Sequence, residues 1–276
     1  LPSEHKQDTH LMIDAHFSRL GPVVDLVDRA GEAILQVYRG ADLGIQAKAD
    51  SSPLTEADLA ANEIICKGLA SLWPAIPILS EEAANPFAGE QEPPLYWAVD
   101  PLDGTKEFIK RNGEFTVNVA LVENGYPVLG VVAAPALGLL YEGVQGHGAR
   151  RRSSAGWESI AIGGPIVPEA VVRVASSRSH PSPAVDVWLK RFERIEQRPS
   201  GSSLKFCLLA QGDADVYPRF GPTCIWDTAA GHAVLAAAGG CVTSVDGKPL
   251  LYKRPANVLN PDFVAWRSAG PFLKAL

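Results

Sequence analysis

Apolar positions recur at steps of three and four between Pro22 and Arg39. Val23, Val27, Ala30, Ile34 and Val37 would line one face of a helix that Gly40 ends. Upstream, Leu1 to His10 is polar and reads as a frayed end or a tag remnant. Asp50-Ser51-Ser52-Pro53 signals a loop. A second helix is predicted from Glu56 to about Leu72, with Thr55 and Asp58 placed as a cap and its acidic partner. The pattern then shortens to strand-like runs. Ile76–Ser80 ends at Glu81-Glu82, and Tyr96–Val99 ends at Asp100, with a Pro-, Gly- and Glu-rich loop from Asn85 to Pro94 between them. Pro101 cannot extend a ladder, so the chain is expected to turn there.

Glu114–Glu123 alternates apolar and polar residues, and Asn124-Gly125 predicts a hairpin into Val128–Ala134. Leu139–Val144 is a further strand. Gly146–Gly156, with Arg150, Arg151 and Arg152 inside it, reads as a solvated loop and as the boundary between two halves, 11–150 and 151–276. The second half begins with strands near Ser159–Ile162 and Val171–Ser176. Helices over Pro183–Phe192 and Ser202–Ala210 follow, then a strand over Ala214–Pro218. An Ala-rich helix over Trp226–Ala238 ends at Gly239-Gly240, and short strands lie around Val242 and Phe263. Runs of strands interrupted by helices indicate layered sheets and helices, an α+β chain, rather than strict β-α-β alternation.

The chain has 276 residues, enough for one large domain or two small ones. A net charge of −6 argues against nucleic-acid polymers, which need a basic face, and means that any anionic ligand needs local cations or bound metal. Cys66, Cys207, Cys224 and Cys241 form no C-x-x-C pair, so neither a zinc cluster nor a disulfide framework is expected, and reduced cytoplasmic thiols are the default. No apolar run reaches membrane-spanning length, and the N-terminus does not read as a signal peptide.

Chemistry concentrates in Asp100-Pro101-Leu102-Asp103-Gly104-Thr105. Two carboxylates on a tight turn, followed by a glycine, suit a hard cation and a phosphate. By residue type alone, the same stretch also reads as a strand-to-helix turn capped by Asp103. Asp58 could be a capping residue and nothing more, Asp227 could complement a helix N-terminus, and Glu81 could be an exposed loop acid. His180 and the Arg run read first as surface. His232, inside the Ala-rich helix, reads as structural.

The D-P-L-D-G-T turn, the preceding S-E-E and the later W-D-T-A-A-G resemble the inositol monophosphatase superfamily of magnesium-dependent, lithium-sensitive phosphatases. The longer strings D-P-L-D-G-T-K-E-F and G-S-S-L-K-F are similar to its bacterial 3'(2'),5'-bisphosphate nucleotidase branch, over roughly Asp50 to Trp266. The resemblance implies an α-β-α-β-α sandwich of the sugar-phosphatase type, with the site between its halves. It implies that Glu81, Asp100, Asp103, Asp227 and the Leu102 carbonyl hold two or three Mg²⁺ ions, and that Glu82 is supporting. Asp58 and Thr105 would activate water, while Gly104, Thr105, His180, Ser203, Lys205 and Arg219 would hold substrate. The expected reaction is removal of the 3'-phosphate from adenosine 3',5'-bisphosphate, a by-product of sulfate assimilation, with inhibition by Li⁺. An inositol monophosphatase and a non-catalytic nucleotide sensor are the alternatives. Some bacterial relatives are described as peripheral inner-membrane proteins, so the resemblance leaves such contact open, and oligomeric state is not set.

Overall fold

The structure, a computed structural model, describes residues 3–47, 53–87, 93–162, 171–178, 182–253 and 255–268, with the side chains of 3–13 and 47 left out. The loop signal at 50–52, part of the 85–94 loop and His180 lie outside the described residues.

Two helices cover one face of a large sheet. Helix α1 (Ser3–Arg39) buries Val23, Val27, Ala30 and Ile34, the stripe read from the sequence. It begins well before Pro22, because Leu20 and His16 are also buried and carry the same stripe upstream. Pro22 is therefore an interior residue, at the cost of one helical hydrogen bond. Two short strands, β1 (Gln46–Ala47) and β2 (Pro53–Leu54), pair antiparallel before α2 (Glu56–Leu72). Asp58 accepts from the backbone N–H of Thr55 at 2.7 Å, closing the start of α2.

Seven strands follow in spatial order β3-β4-β5-β6-β7-β8-β9. They are β3 (Ile78–Ser80), β4 (Leu95–Asp103), β5 (Thr116–Glu123), β6 (Tyr126–Ala134), β7 (Leu139–Val144), β8 (Gly148–Ser153) and β9 (Gly156–Ile160). Only β3 and β4 run parallel. Asn124 and Gly125 both have positive φ, 51° and 84°, as a two-residue hairpin requires. The central strands β4, β5 and β6 are buried on both sides because both sides are covered. In β4, Trp97 and Val99 face α1 and α2, while Tyr96 and Ala98 join the core on the opposite face.

Gly146–Gly156 is not a solvated loop; it contains β8 and the start of β9, so residue 150 lies inside the large sheet. The arginines are strand residues, and each finds an acid: Arg150 Nε on Glu142 (2.6 Å), Arg151 Nε on Glu158 (2.7 Å) and Arg152 on Asp28 (2.9 Å). Trp157 lies beneath the guanidinium groups of Arg150 and Arg152, at 4.7 and 5.4 Å. Three like charges in a row obscured a strand whose charges are compensated by its neighbours.

The second sheet has order β11-β10-β12-β14-β13. Its strands are β10 (Val172–Ser177), β11 (Ile195–Ser200), β12 (Val216–Arg219), β13 (Cys241–Ser244) and β14 (Phe263–Trp266). Exposed along most of its length, the edge strand β11 carries no apolar alternation to read. Helix α4 (Pro183–Leu189) packs on the outer face through Trp188 and Leu189. Between the sheets lie α5 (Leu204–Ala210) and α6 (Ile225–Ala237), completing an α-β-α-β-α sandwich. Among the described residues, no helix is long and apolar enough to cross a membrane.

Helix α6 rests almost on the backbone of the large sheet. A Cβ on Gly130 would lie 2.4 Å from the carbonyl oxygen of Ala230 and 2.7 Å from the Ala233 methyl. Gly130→Ala should therefore lower unfolding free energy by ~1–3 kcal/mol through overpacking. Urea denaturation measures it, and an unchanged midpoint would show that α6 can lift off the sheet freely.

A candidate metal and phosphate site between the two sheets

Strand β4 does not simply turn at Pro101. It continues to Asp103 through an irregularity: Asp100 pairs with Asn118 and Asp103 with Thr116, three steps on β4 against two on β5. One extra residue is accommodated there, at the proline that lacks a ladder N–H. In a regular strand, residues 100 and 103 would point to opposite faces. The bulge restores the parity, so both carboxylates lie on the face shared by Asn118 and Thr116. Asp100 Oδ1 accepts from the Leu102 N–H at 3.0 Å, which fixes the bulge from inside.

Two further acids meet them. Glu81 follows β3, its N–H bonded to the carbonyl of Val99. Asp227 stands in the first turn of α6 and accepts from the N–H of Cys224 at 2.7 Å. Carboxylate oxygens of Glu81, Asp100 and Asp227 lie within 4.8 Å of one another. At ~5 Å and an effective dielectric of about 20, each charged pair repels by roughly 3 kcal/mol. Three such pairs rival the stability of a typical domain. The acids therefore hold protons or share cations. Burial and its acidic neighbours push Asp100 well above the usual carboxylate range. Burial lifts Asp103 to about 6, and burial with Asp103 beside it lifts Asp227 to about 8. Asp100 Oδ2 is buried without a hydrogen-bond partner. An all-oxygen donor set with an unsatisfied carboxylate fits a hard cation and favours Mg²⁺ over Zn²⁺.

The cleft beside these acids has a volume of about 320 Å³. Its wall includes Leu102, Gly104, Thr105, Lys205, Tyr217 and Arg219. Gly104 has φ 90°, and a Cβ there would lie 2.2 Å from Ser202 Oγ, so no other residue fits. Thr105 heads the five-residue helix α3 (Thr105–Ile109). Lys205 is 6% exposed, and burial lowers its pKa to about 8 even though Asp103 works to raise it. Its Nζ donates to the carbonyls of Ser202 (2.6 Å) and Ser200 (3.4 Å). Arg219 donates from Nη2 to the carbonyl of Pro222, while its buried Nε has no partner.

Other expected residues have duties of their own. Ser203, 1% exposed, donates to Asp103 Oδ2 at 3.3 Å and to the Asp227 carbonyl at 2.8 Å, tying two of the acids together. Asp58 is also 1% exposed; its Oδ2 accepts from Thr55 Oγ1 at 2.6 Å, and its charge contributes to raising Asp100. It caps α2 and lies close enough to feel the acidic cluster, so the two readings of Asp58 are compatible. Glu82 is half-buried. His232 is buried with Nδ1 3.1 Å from Tyr252 Oη, and burial pushes its pKa down to about 3, as a structural residue requires.

Two residues at the site, Asn118 and Thr116, had no sequence signal. Buried Asn118 and Thr116, cross-strand from Asp100 and Asp103, have side-chain polar atoms without partners. They looked like ordinary polar positions of an alternating strand. Glu107 and Arg178 line the cleft, and Glu114 grips Arg178 through two 2.8 Å hydrogen bonds.

A layered sandwich with a buried acidic cluster at its middle seam is the frame of a metal-dependent phosphatase. The model of the inositol monophosphatase family matches residues 19–272. The chain belongs to that family. It is 49% identical to the 3'(2'),5'-bisphosphate nucleotidase CysQ of Escherichia coli, over 88% of this chain and 98% of that protein. Among solved structures, CysQ from Bacteroides thetaiotaomicron superposes with a TM-score of 0.77 at 39% identity, covering 90% of this chain and 97% of that one. An inositol monophosphatase from Anabaena superposes with a TM-score of 0.72 at 26% identity, covering 91% of each.

The acids make stability depend on pH when metal is withheld. Asp103 and Asp227 keep their protons to about 6 and about 8 when folded, against an ordinary value of 3.8. Such groups stabilise the fold fully below the ordinary value, and that contribution is lost as pH rises through the folded values. Chelator-treated protein should therefore melt at a lower temperature at pH 8 than at pH 5, and added Mg²⁺ should narrow the gap. Equal melting temperatures in chelator at both pH values would mean that the acids do not repel.

Proposed function

We propose that the chain is a Mg²⁺-dependent 3'(2'),5'-bisphosphate nucleotidase that converts adenosine 3',5'-bisphosphate to AMP and phosphate, clearing a by-product of sulfate assimilation. The observation that carries this reading is the 49% identity to the Escherichia coli nucleotidase over 88% of the chain. The cleft supports it, since buried acids adjoin Lys205 and Arg219, which supply the cations an anionic substrate needs in a chain of net charge −6. The four cysteines, none of them in a disulfide, suit a reducing cytoplasm.

Glu81, Asp100, Asp103 and Asp227, with the Leu102 carbonyl, would hold two or three ions. Mg²⁺ bound there supplies a water of lowered pKa and a counter-charge for the leaving oxygen. Thr105 on the cleft wall would orient that water, and the Asp58 carboxylate, close enough to the cluster to raise Asp100, would take its proton. Gly104, having no Cβ, lets the scissile phosphate approach the backbone. Ser203 keeps Asp103 in place. Lys205 is engaged with two carbonyls and contributes mainly its field. Arg219, on the cleft wall with Nη2 anchored on the Pro222 carbonyl, brings a fixed guanidinium charge that suits the second phosphate.

The deciding assay is phosphate release from adenosine 3',5'-bisphosphate, inositol 1-phosphate and fructose 1,6-bisphosphate side by side, with and without Mg²⁺. The adenosine bisphosphate should be preferred, release should need Mg²⁺, and Li⁺ should inhibit where K⁺ at equal ionic strength does not. Preference for inositol 1-phosphate would replace the nucleotidase reading with the inositol one. No release from any of the three would leave a nucleotide sensor.

Asp58→Asn separates its two duties. The amide oxygen can still cap α2, so stability should fall by ~1 kcal/mol or less. An amide cannot take a proton, so turnover should fall by ~10²–10⁴. Wild-type turnover in a less stable variant would confine Asp58 to capping.

A further inference from the structure

The segment Ser200-Gly201-Ser202-Ser203 ties the second sheet to the acidic cluster. Ser203 holds the Asp103 carboxylate and the Asp227 carbonyl, and Ser202 Oγ donates to the Asp103 carbonyl at 2.8 Å. Ser202 has φ 48°, a left-handed conformation that costs a non-glycine residue free energy unless its surroundings hold it. Lys205 holds the segment through its carbonyls. Its N–H side is held by a residue from the other sheet. Glu114, in the loop before β5, accepts from the Gly201 N–H on Oε2 at 2.9 Å, and its own carbonyl accepts from Ser202 Oγ at 2.9 Å. Contact is close enough that a Cβ on Gly201 would lie 2.5 Å from the Glu114 carbonyl oxygen.

The Glu114 carboxylate is itself oriented. Arg178 donates to it from Nε and Nη2, both at 2.8 Å, while Nη2 also reaches the Pro199 carbonyl at 3.1 Å. An isolated surface ion pair would contribute little. Here the carboxylate collects three donors, two of them from a guanidinium fork and one from the backbone of the segment it restrains.

We propose that Glu114 is a positioning residue for the metal site, holding the 200–203 turn so that Ser203 orients the Asp103 carboxylate and anchors the backbone of α6 at Asp227. The route is Glu114 to Gly201, Gly201 to Ser203, and Ser203 to the two acids. What matters is the reach of the side chain to the Gly201 N–H; its charge serves mainly to recruit Arg178. The proposal rests on the metal-dependent phosphatase reading, but its test does not need turnover.

The test compares Glu114→Gln, which keeps the reach and loses the charge, with Glu114→Asp, which keeps the charge and is one methylene too short. Mn²⁺ affinity is measured by calorimetry, kcat and KM on adenosine 3',5'-bisphosphate, and melting temperature in chelator. Glu114→Gln should bind Mn²⁺ within about threefold of wild type, whereas Glu114→Asp should weaken Mn²⁺ binding about tenfold and lower kcat accordingly. Arg178→Ala should resemble Glu114→Gln. The reverse order, with Gln impaired and Asp spared, would overturn the proposal in favour of a charge effect. Unchanged Mn²⁺ affinity in both Glu114 variants, whatever their melting temperatures, would reduce Glu114 to a stabilising ion pair. If wild type binds Mn²⁺ but does not cleave the nucleotide, the functional reading falls while the comparison of affinities still decides the role of Glu114.

Discussion

One residue too many in β4 is the constraint on which the site depends. Without the bulge between Asp100 and Asp103, one of the two acids would face the apolar layer beneath α1 and α2, where Trp97, Val99 and Leu102 are packed. A lone carboxylate there would carry the full penalty of burial without a partner. The bulge places both on the side of α6, where Asp227 waits at the helix start, and it needs a residue that gives up its ladder N–H. Pro101 is that residue. Deleting Pro101 would remove none of the proposed ligands yet dismantle the cluster.

The acidic cluster and the cations around it form one electrostatic unit. Burial and mutual repulsion raise Asp100, Asp103 and Asp227, while Lys205 pulls Asp103 back down. Asp103 in turn opposes the burial that lowers Lys205. The cleft can therefore attract cations through its acids and anions through Lys205 and Arg219 within one small volume. This is how a chain with excess negative charge can receive a doubly phosphorylated ligand.

Elements with a strong apolar period were legible in the sequence, and so was the layered fold that the motif resemblance implied. The buried stripe of α1, the Asn124-Gly125 hairpin and α6 follow directly from pattern and turn chemistry. Elements whose stability comes from partners were not legible. The exposed edge strand β11 has no period, and the arginines of β8 looked like a loop because their acids, Glu142, Glu158 and Asp28, are supplied from elsewhere in the fold. The same divide runs through the site. Glu81, Asp100, Asp103 and Asp227 sit in recognisable strings and the structure gathers them. Glu114, Thr116 and Asn118 matter only through what lies across from them in the fold, and no local string marks such neighbours.

Helix α6 lies in the middle layer, so moving Asp227 would mean dragging a helix through two cores at once. With Gly130 and Gly143 pressed against its backbone, it has no room to slide. Passage of ligands must therefore be left to the rim, at the short helix α3 and the loop near Pro222.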